Sequence, residues 1–364
     1  MSPPFRADHV GSLLRPAELA AARTQWKQGA LGAAELESIE DRAVREAVRK
    51  QESIGLAAVT DGEFRRDYWH LDFLAELDGV TTKANPGPKF GGLDDQPPIA
   101  TITGKVGCSK PIMVDHFAYL RSVAKATPKF TLPSPSMLHV RGGRSAISKE
   151  TYPDLDEFWE DVAAAYRREL EYLARAGCTY AQLDDVAFAY LCDPRIRENC
   201  RLNGDDPATL PRRYADTING ALKGKPAGMT ITMHTCRGNF KSAWVAEGGY
   251  DEVAEAMFST DVDGFFMEFD SARSGSFEPL RALPKTKKVV LGLVTTKVGE
   301  IEDKATLKRR IGEATRYVPL ENLCLSPQCG FSSTHHGNVL SEDDQWRKLE
   351  LVVETAREVW GTSS

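Results

Sequence analysis

Short apolar runs rich in β-branched residues alternate along the chain with longer stretches whose apolar positions recur at helical spacing. The first kind predicts buried strands and the second amphipathic helices, so their alternation predicts βα units around a parallel sheet. Eight strand-like runs follow in order: about Phe5–Ser12, Ala57–Thr60, Lys129–Leu138, Tyr180–Leu183, Met229–Cys236, Gly264–Phe269, Lys288–Val294 and Asn322–Ser326. Helices are predicted over about 34–54, 111–126 and 155–176, then to about 223, over 250–258 and 303–316, and finally from Ser341 as an N-cap. Gly55 and Gly177 stand where two of them stop.

Between about Leu71 and Val106 the rhythm changes. Asn85-Pro86-Gly87-Pro88 and Gly91-Gly92 punctuate the chain, and Ile99–Thr103 reads as an extra strand. A β-hairpin-like insertion after strand 2, over one barrel mouth, is expected there. The fold class predicted is therefore α/β, a single (β/α)8 TIM-type barrel over 1–364 with an insertion at about 71–106. A doubly wound open sheet is the competing architecture, but no Gly-x-Gly-x-x-Gly turn follows an early strand.

Composition narrows the function classes. The 364 residues carry a net charge of −6 with no basic stripe, which argues against nucleic-acid partners. No apolar run approaches a membrane span, and the N-terminus lacks a signal pattern, so a cytoplasmic location is the default expectation. Seven cysteines without framework spacing imply free thiols in a reducing compartment. Cys236 and Cys329 differ from the other five because each falls where a strand ends.

The chemistry starts from Met229–Cys236. Successive strand side chains point to opposite faces, so His234 and Cys236 share a face. Two such residues at the end of a buried strand are half of a zinc site; a core His and a core Cys two apart are the plain alternative. A barrel opens all its strand ends onto one mouth, which adds Glu268 at the end of the sixth run and Cys329 after the eighth. A His, two Cys and a carboxylate suit tetrahedral Zn²⁺, and such an electron-rich metal favours an incoming thiolate over water. Taken singly, Glu268 reads equally well as a salt-bridge carboxylate and Cys329 as a small residue in a tight turn.

The chain resembles the cobalamin-independent methionine synthase family, as a short, single-domain member matching its catalytic C-terminal barrel. The resemblance rests on His9-Val10-Gly11-Ser12, Asp61-Gly62-Glu63, Leu183-Asp184-Asp185, His234-Thr235-Cys236, Glu268 and Ser326-Pro327-Gln328-Cys329-Gly330, which span nearly the whole chain. It implies a methyltransferase of the 5-methyltetrahydropteroyltriglutamate–homocysteine type. Zn²⁺ would be held by His234, Cys236, Glu268 and Cys329 to activate the homocysteine thiol, giving methionine. It also implies that Ser12, Glu63 and Asp184 bind the amino acid. Carboxylates for an ammonium and a strand-end Ser for a carboxylate make physical sense.

Two departures limit the transfer. The full-length enzymes carry an N-terminal barrel that helps bind the folate, so the methyl donor is open between a methylfolate and a corrinoid methyl. The family's proton-donating His after the seventh strand is replaced by Val294-Thr295-Thr296-Lys297, which leaves His335 and His336 as the candidate donors. Tyr68-Trp69-His70 offers an aromatic wall for a flat donor or simple packing, and Arg6, Arg15 and Arg65-Arg66 offer anion contacts or internal pairing. Competing functions are an epoxide-opening thiol transferase resembling epoxyalkane:coenzyme M transferase, a zinc-free barrel resembling uroporphyrinogen decarboxylase, and a non-catalytic protein with a structural zinc. Glu63 and Asp184 favour an ammonium-bearing thiol over a sulfonate.

Overall fold

In this computed structural model, which describes residues 2–85 and 97–364, each predicted run after the first contains or overlaps a strand, and Asp78–Lys83 adds one that the apolar pattern did not mark. In chain order they are β1 (Ala58–Val59), β2 (Asp78–Lys83), β3 (Ile99–Gly107), β4 (Thr127–Pro133), β5 (Tyr180–Asp185), β6 (Thr230–Thr235), β7 (Gly264–Glu268), β8 (Lys288–Val294) and β9 (Leu323–Pro327). Seven form one parallel sheet in the order β1-β4-β5-β6-β7-β8-β9, while β2 and β3 pair antiparallel as a separate hairpin.

The sheet curls, and the N-terminal segment closes the gap between its edges. On the β9 side, the Leu325 N–H donates to the Arg6 carbonyl at 2.8 Å and the Asp8 N–H to the Leu325 carbonyl at 3.0 Å. On the β1 side, the Leu13 N–H donates to the Gly62 carbonyl at 3.1 Å and the Thr60 hydroxyl to the Gly11 carbonyl at 2.6 Å. The architecture is a TIM-type barrel. The first run supplies only one bridge, Ala7 with Leu325, rather than a full strand. Pro3 and Pro4 have no N–H to give a ladder, and Gly11, at φ +140°, turns the chain away. The third run is also shorter than expected: β4 stops at Pro133 and Pro135–Leu138 winds a 3₁₀ turn.

The helices follow their caps. Gly55 ends Ala33–Ile54 in the left-handed region, the Asp154 side chain accepts from the Asp156 N–H ahead of Leu155–Arg175, and Ser341 forms a capping box with Asp344 ahead of Glu342–Trp360. Helices Ala17–Lys27 and Pro194–Leu202 escaped the sequence reading because neither shows a clear apolar stripe: the first buries Leu19 and Ala22 beside Arg23, and the second buries nothing fully.

Strand alternation decides what fills the barrel. Phe130 and Leu132 of β4, Ala181 and Leu183 of β5, Ile231 and Met233 of β6 join the large core beneath the helices. Their neighbours point inward instead. Low in the barrel, Lys129 pairs with Asp8 at 3.1 Å, both side chains fully buried, and the Tyr180 hydroxyl donates to the other Asp8 oxygen at 2.7 Å. Val10, Phe266, Val290 and Cys324 make a small apolar plug. One step further along the same inward faces come Asp184, His234 and Glu268, at the strand C-termini.

The hairpin lies beside the barrel, against helix Leu155–Arg175 and the loop before it: the Ser148 N–H donates to the Ile102 carbonyl at 2.9 Å and the Val106 N–H to the Tyr152 hydroxyl at 2.7 Å. Among the described residues of the hairpin segment, Pro97 is the one that lines the mouth pocket. The turn signals Pro86-Gly87-Pro88 and Gly91-Gly92 lie outside the described residues. Among the described residues no helix is long and apolar enough to cross a membrane.

Candidate metal and substrate site

Register brings the cluster together. Asp184 of β5 pairs with His234 of β6, and His234 with Phe266 of β7, so residues two further along β6 and β7, Cys236 and Glu268, come level at the rim. Cys329 arrives from the loop after β9. One potential ligand atom from each of His234, Cys236, Glu268 and Cys329 lies within 4.8 Å of the others, and all four residues are buried.

Each side chain is held from behind. The Glu268 carboxylate accepts from the Arg237 N–H at 3.1 Å and from the Arg273 guanidinium at 3.2 Å. His234 Nδ1 faces the Phe266 carbonyl at 3.4 Å, which places the proton there and leaves Nε2 as a lone-pair donor. The ring is buried, with Cys329 as its other close polar partner. The two sulfurs stand 3.5 Å apart. The hydrogen bond from Cys236 holds Cys329 well below the ordinary thiol range despite burial, with His234 reinforcing it, and the same bond, then burial, pushes Cys236 well above. Two sulfurs, one of them made more acidic by the other, an imidazole nitrogen and a braced carboxylate fit a tetrahedral, borderline-soft cation.

Ser12, Glu63 and Asp184 line the same pocket as His234, Cys236 and Cys329. Glu63 is a non-glycine residue at φ +60°, a conformation that costs on the order of 1–3 kcal/mol and that marks sites held in place for use. Its Oε1 accepts from the Thr131 hydroxyl at 2.8 Å, while Oε2 is buried with no partner. Burial pushes Glu63 above the usual carboxylate range, against the pull of Arg66 and Thr131. Asp184 accepts from the Gln182 amide at 2.6 Å and is raised to about 7, by burial first and then by the charge of Glu63. Two buried acids that resist ionising together are a socket for a cation. Ser12 packs against Gly330, and its Oγ accepts from the Ser332 N–H at 3.4 Å.

The remaining expectations divide. Asp185 turns away from the pocket, accepting from Ser136 and from the Phe188 N–H, as alternation on the strand requires. Arg6, Arg15 and Arg65 are committed to internal partners: backbone carbonyls for Arg6, carbonyls and Ser332 for Arg15, Glu40 and Asp41 for Arg65. Ser333 and Thr334 line the pocket, but His335 and His336 stand beyond its lining, their rings 3.8 Å apart, with His335 edge-on to Tyr68. Trp69 does form a wall of the pocket. Three contributors went unread in the sequence: Arg141, Asn239 and Lys297. Lys297 is 6% exposed and donates to Asn239 Oδ1 at 3.3 Å, so an ammonium stands near the cluster at the position of the missing loop histidine. The signal for it was present, since Thr295-Thr296-Lys297 ends a strand at the mouth. Nothing local flagged Arg141.

A curled parallel barrel brings a buried His, two Cys and a Glu together at its mouth, a set that could hold a metal ion. The catalytic domain of the cobalamin-independent synthases matches residues 5–357. The uncharacterized proteins YxjH and YxjG of Bacillus subtilis are each 46% identical, and each comparison covers 98% of this chain and 95% of the relative. A Listeria monocytogenes crystal structure, provisionally assigned as a vitamin-B12 independent methionine synthase, superposes with a TM-score of 0.79 at 39% identity over 99% of both chains. A Shewanella B12-independent methionine synthase in complex with selenomethionine shares the fold, with a TM-score of 0.71 at 21% identity over 97% of both chains. The 5-methyltetrahydropteroyltriglutamate–homocysteine methyltransferase of Bacillus licheniformis is 22% identical across 97% of this chain, which spans 42% of that longer protein. This chain belongs to the cobalamin-independent methionine synthase family. Membership indicates methyl transfer of the methionine synthase kind.

Proposed function

We propose that the protein is a zinc-dependent methyltransferase that methylates a thiol, with homocysteine as the acceptor and methionine as the product. The observation that carries this reading is the shared pocket: a ligand set for zinc at one side and an ammonium socket, Glu63 with Asp184, at the other. His234 through Nε2, Cys236, Cys329 and Glu268 would hold the ion, with Glu268 braced by Arg237 and Arg273. Bound there, zinc would take up the acceptor sulfur in its thiolate form and keep it nucleophilic at neutral pH.

The protein's own groups do the rest. Glu63 and Asp184 fix the acceptor's ammonium, which restores the ionised form of both acids. Ser12 and the nearby Ser332 N–H lie at the carboxylate end. With both ends of the amino acid held, its sulfur has one place to go, and that positioning supplies much of the rate. Trp69 and Phe240 close the pocket against water. The methyl donor loses CH₃⁺ and its leaving nitrogen or metal keeps the electron pair; a nitrogen also gains a proton. The His335–His336 pair, reached from the pocket through Thr334, is the proposed relay for that proton from solvent. Burial and Lys27 hold His335 below its ordinary value, which suits a relay rather than a stored acid.

Zinc-edge X-ray absorption with and without homocysteine tests the first step. A new sulfur neighbour on adding the thiol supports it. Sub-stoichiometric zinc in protein purified without chelator, unaffected by Cys329→Ser, would remove it. An epoxide-opening rate with coenzyme M and no response to homocysteine would favour the other thiol transferase.

A further inference from the structure

Among the described cations of the mouth, Arg141 lines the pocket itself without a carboxylate partner, whereas Lys297 and Arg237, which also make no ion pair, face Glu268 of the cluster. Arg15 is spent on carbonyls and Ser332, Arg66 on the Thr131 carbonyl and Glu63, and Arg273 on Glu268 and Asp270. Arg141, on the loop that follows β4, lines the pocket and meets no carboxylate at ion-pair distance among the described residues. Its guanidinium donates to His70 Nε2 at 3.1 Å, and Tyr190 is its other polar neighbour. His70 is buried, and burial together with Arg141 keeps its ring neutral, so it orients the guanidinium without discharging it. Trp69 stacks beside His70, ring centroids 4.7 Å apart, and lines the same pocket.

We propose that Arg141 is the recognition site for an oxyanion on the methyl donor, so that the second substrate is a flat, anionic donor lying along Trp69. This deepens, and rests on, the methyltransferase reading. The charge pattern separates the two substrates. Once an amino acid is bound, Glu63 and Asp184 are answered by its ammonium and the cluster by its cation, which leaves the Arg141 charge for the donor. A planar guanidinium has five N–H donors, so with His70 and Tyr190 as its polar neighbours it still has donors for a carboxylate or a phosphate ester. The same charge disfavours donors whose methyl sits on a sulfonium or quaternary ammonium. Two sources share this chemistry: the carboxylate tail of a reduced methylfolate and the phosphodiester of a methylated corrinoid.

The test is calorimetric binding to the zinc-loaded, homocysteine-bound protein and to its Arg141→Gln and Arg141→Lys variants. The probes are 5-methyltetrahydrofolate against 5-methyltetrahydropterin, which lacks the tail, and methylcobalamin against methylcobinamide, which lacks the phosphodiester. The wild-type protein is expected to prefer one anionic probe over its truncated partner by about tenfold or more. Arg141→Gln should erase that preference, Arg141→Lys should keep part of it, and homocysteine affinity should stay unchanged in both. Loss of homocysteine affinity in Arg141→Gln would instead assign the residue to the amino acid and overturn the proposal. So would a wild-type protein that binds neither anionic probe, or that prefers trimethylsulfonium. Anion-dependent binding without methyl transfer would leave this site standing while the methyltransferase reading fell.

Discussion

Asp184→Asn isolates the part of the site on which the acceptor's identity depends. In the free protein Asp184 is raised from 3.8 to about 7, by burial first and the Glu63 charge second. A displacement of that size means that its ionised form is disfavoured by roughly 4 kcal/mol relative to water. An ammonium in the socket removes most of that penalty, so ligand binding and ionisation of Asp184 are linked. Below a midpoint of 7 the carboxyl is neutral and must lose its proton when the ligand binds; above it, the charge is already present. Methionine is the suitable probe, because its thioether has no proton of its own to release. Its affinity for the metal-free wild-type protein, measured by calorimetry, should fall about tenfold between pH 8 and pH 6. Zinc loading should move the midpoint down, since the added positive charge favours the carboxylate. Asp184→Asn should flatten the part of the profile that Asp184 contributes and cost about 2 kcal/mol of affinity at pH 8, roughly thirtyfold, with the circular dichroism spectrum unchanged. A methionine affinity in Asp184→Asn equal to wild type would refute the ammonium socket.

Cys329→Ser should lower zinc affinity by at least about a hundredfold in competition with a chromophoric chelator, because an oxygen replaces the more acidic of the two sulfurs. In the metal-free protein, mild alkylation near neutral pH should label Cys329 before Cys236, and zinc should protect both; equal labelling would contradict their opposite shifts in acidity. Gly330→Ala would set a methyl group against the Ser12 hydroxyl and 3.2 Å from its Cβ, and should cost about 1–3 kcal/mol in denaturant unfolding while weakening methionine binding. Away from the mouth, Ser341→Ala should cost about 1 kcal/mol through the lost capping box and leave methionine affinity unchanged.

Much of this was legible before any coordinates. Strand alternation is a local rule, so His234 and Cys236 had to share a face once Thr230–Thr235 was a strand. The succession of helices and strands was local too, because each element carries its own apolar period and several carry their own stop or start signals, at Gly55, Gly177 and Ser341. Tertiary structure decided what local rules do not encode. Cys236 and Cys329 are 93 residues apart in the chain, and only closure of the barrel sets their sulfurs 3.5 Å from each other, so that each shifts the acidity of the other. Glu63 sits at φ +60°, a strain no propensity predicts, because the turn after β1 aims its carboxylate at Asp184 across the mouth. The first run failed to become a full strand because Pro3 and Pro4 offer no N–H at one end, the Ala7 N–H goes to Ser363, and Gly11 bends the chain away at the other end. Arg141 looked like any surface arginine; the loop after β4 carries it to a pocket where its neighbours are neutral. Residue type and period settled which elements form and which faces they bury, whereas distance across the mouth, and therefore charge, acidity and ligand order, exists only when eight chain segments converge.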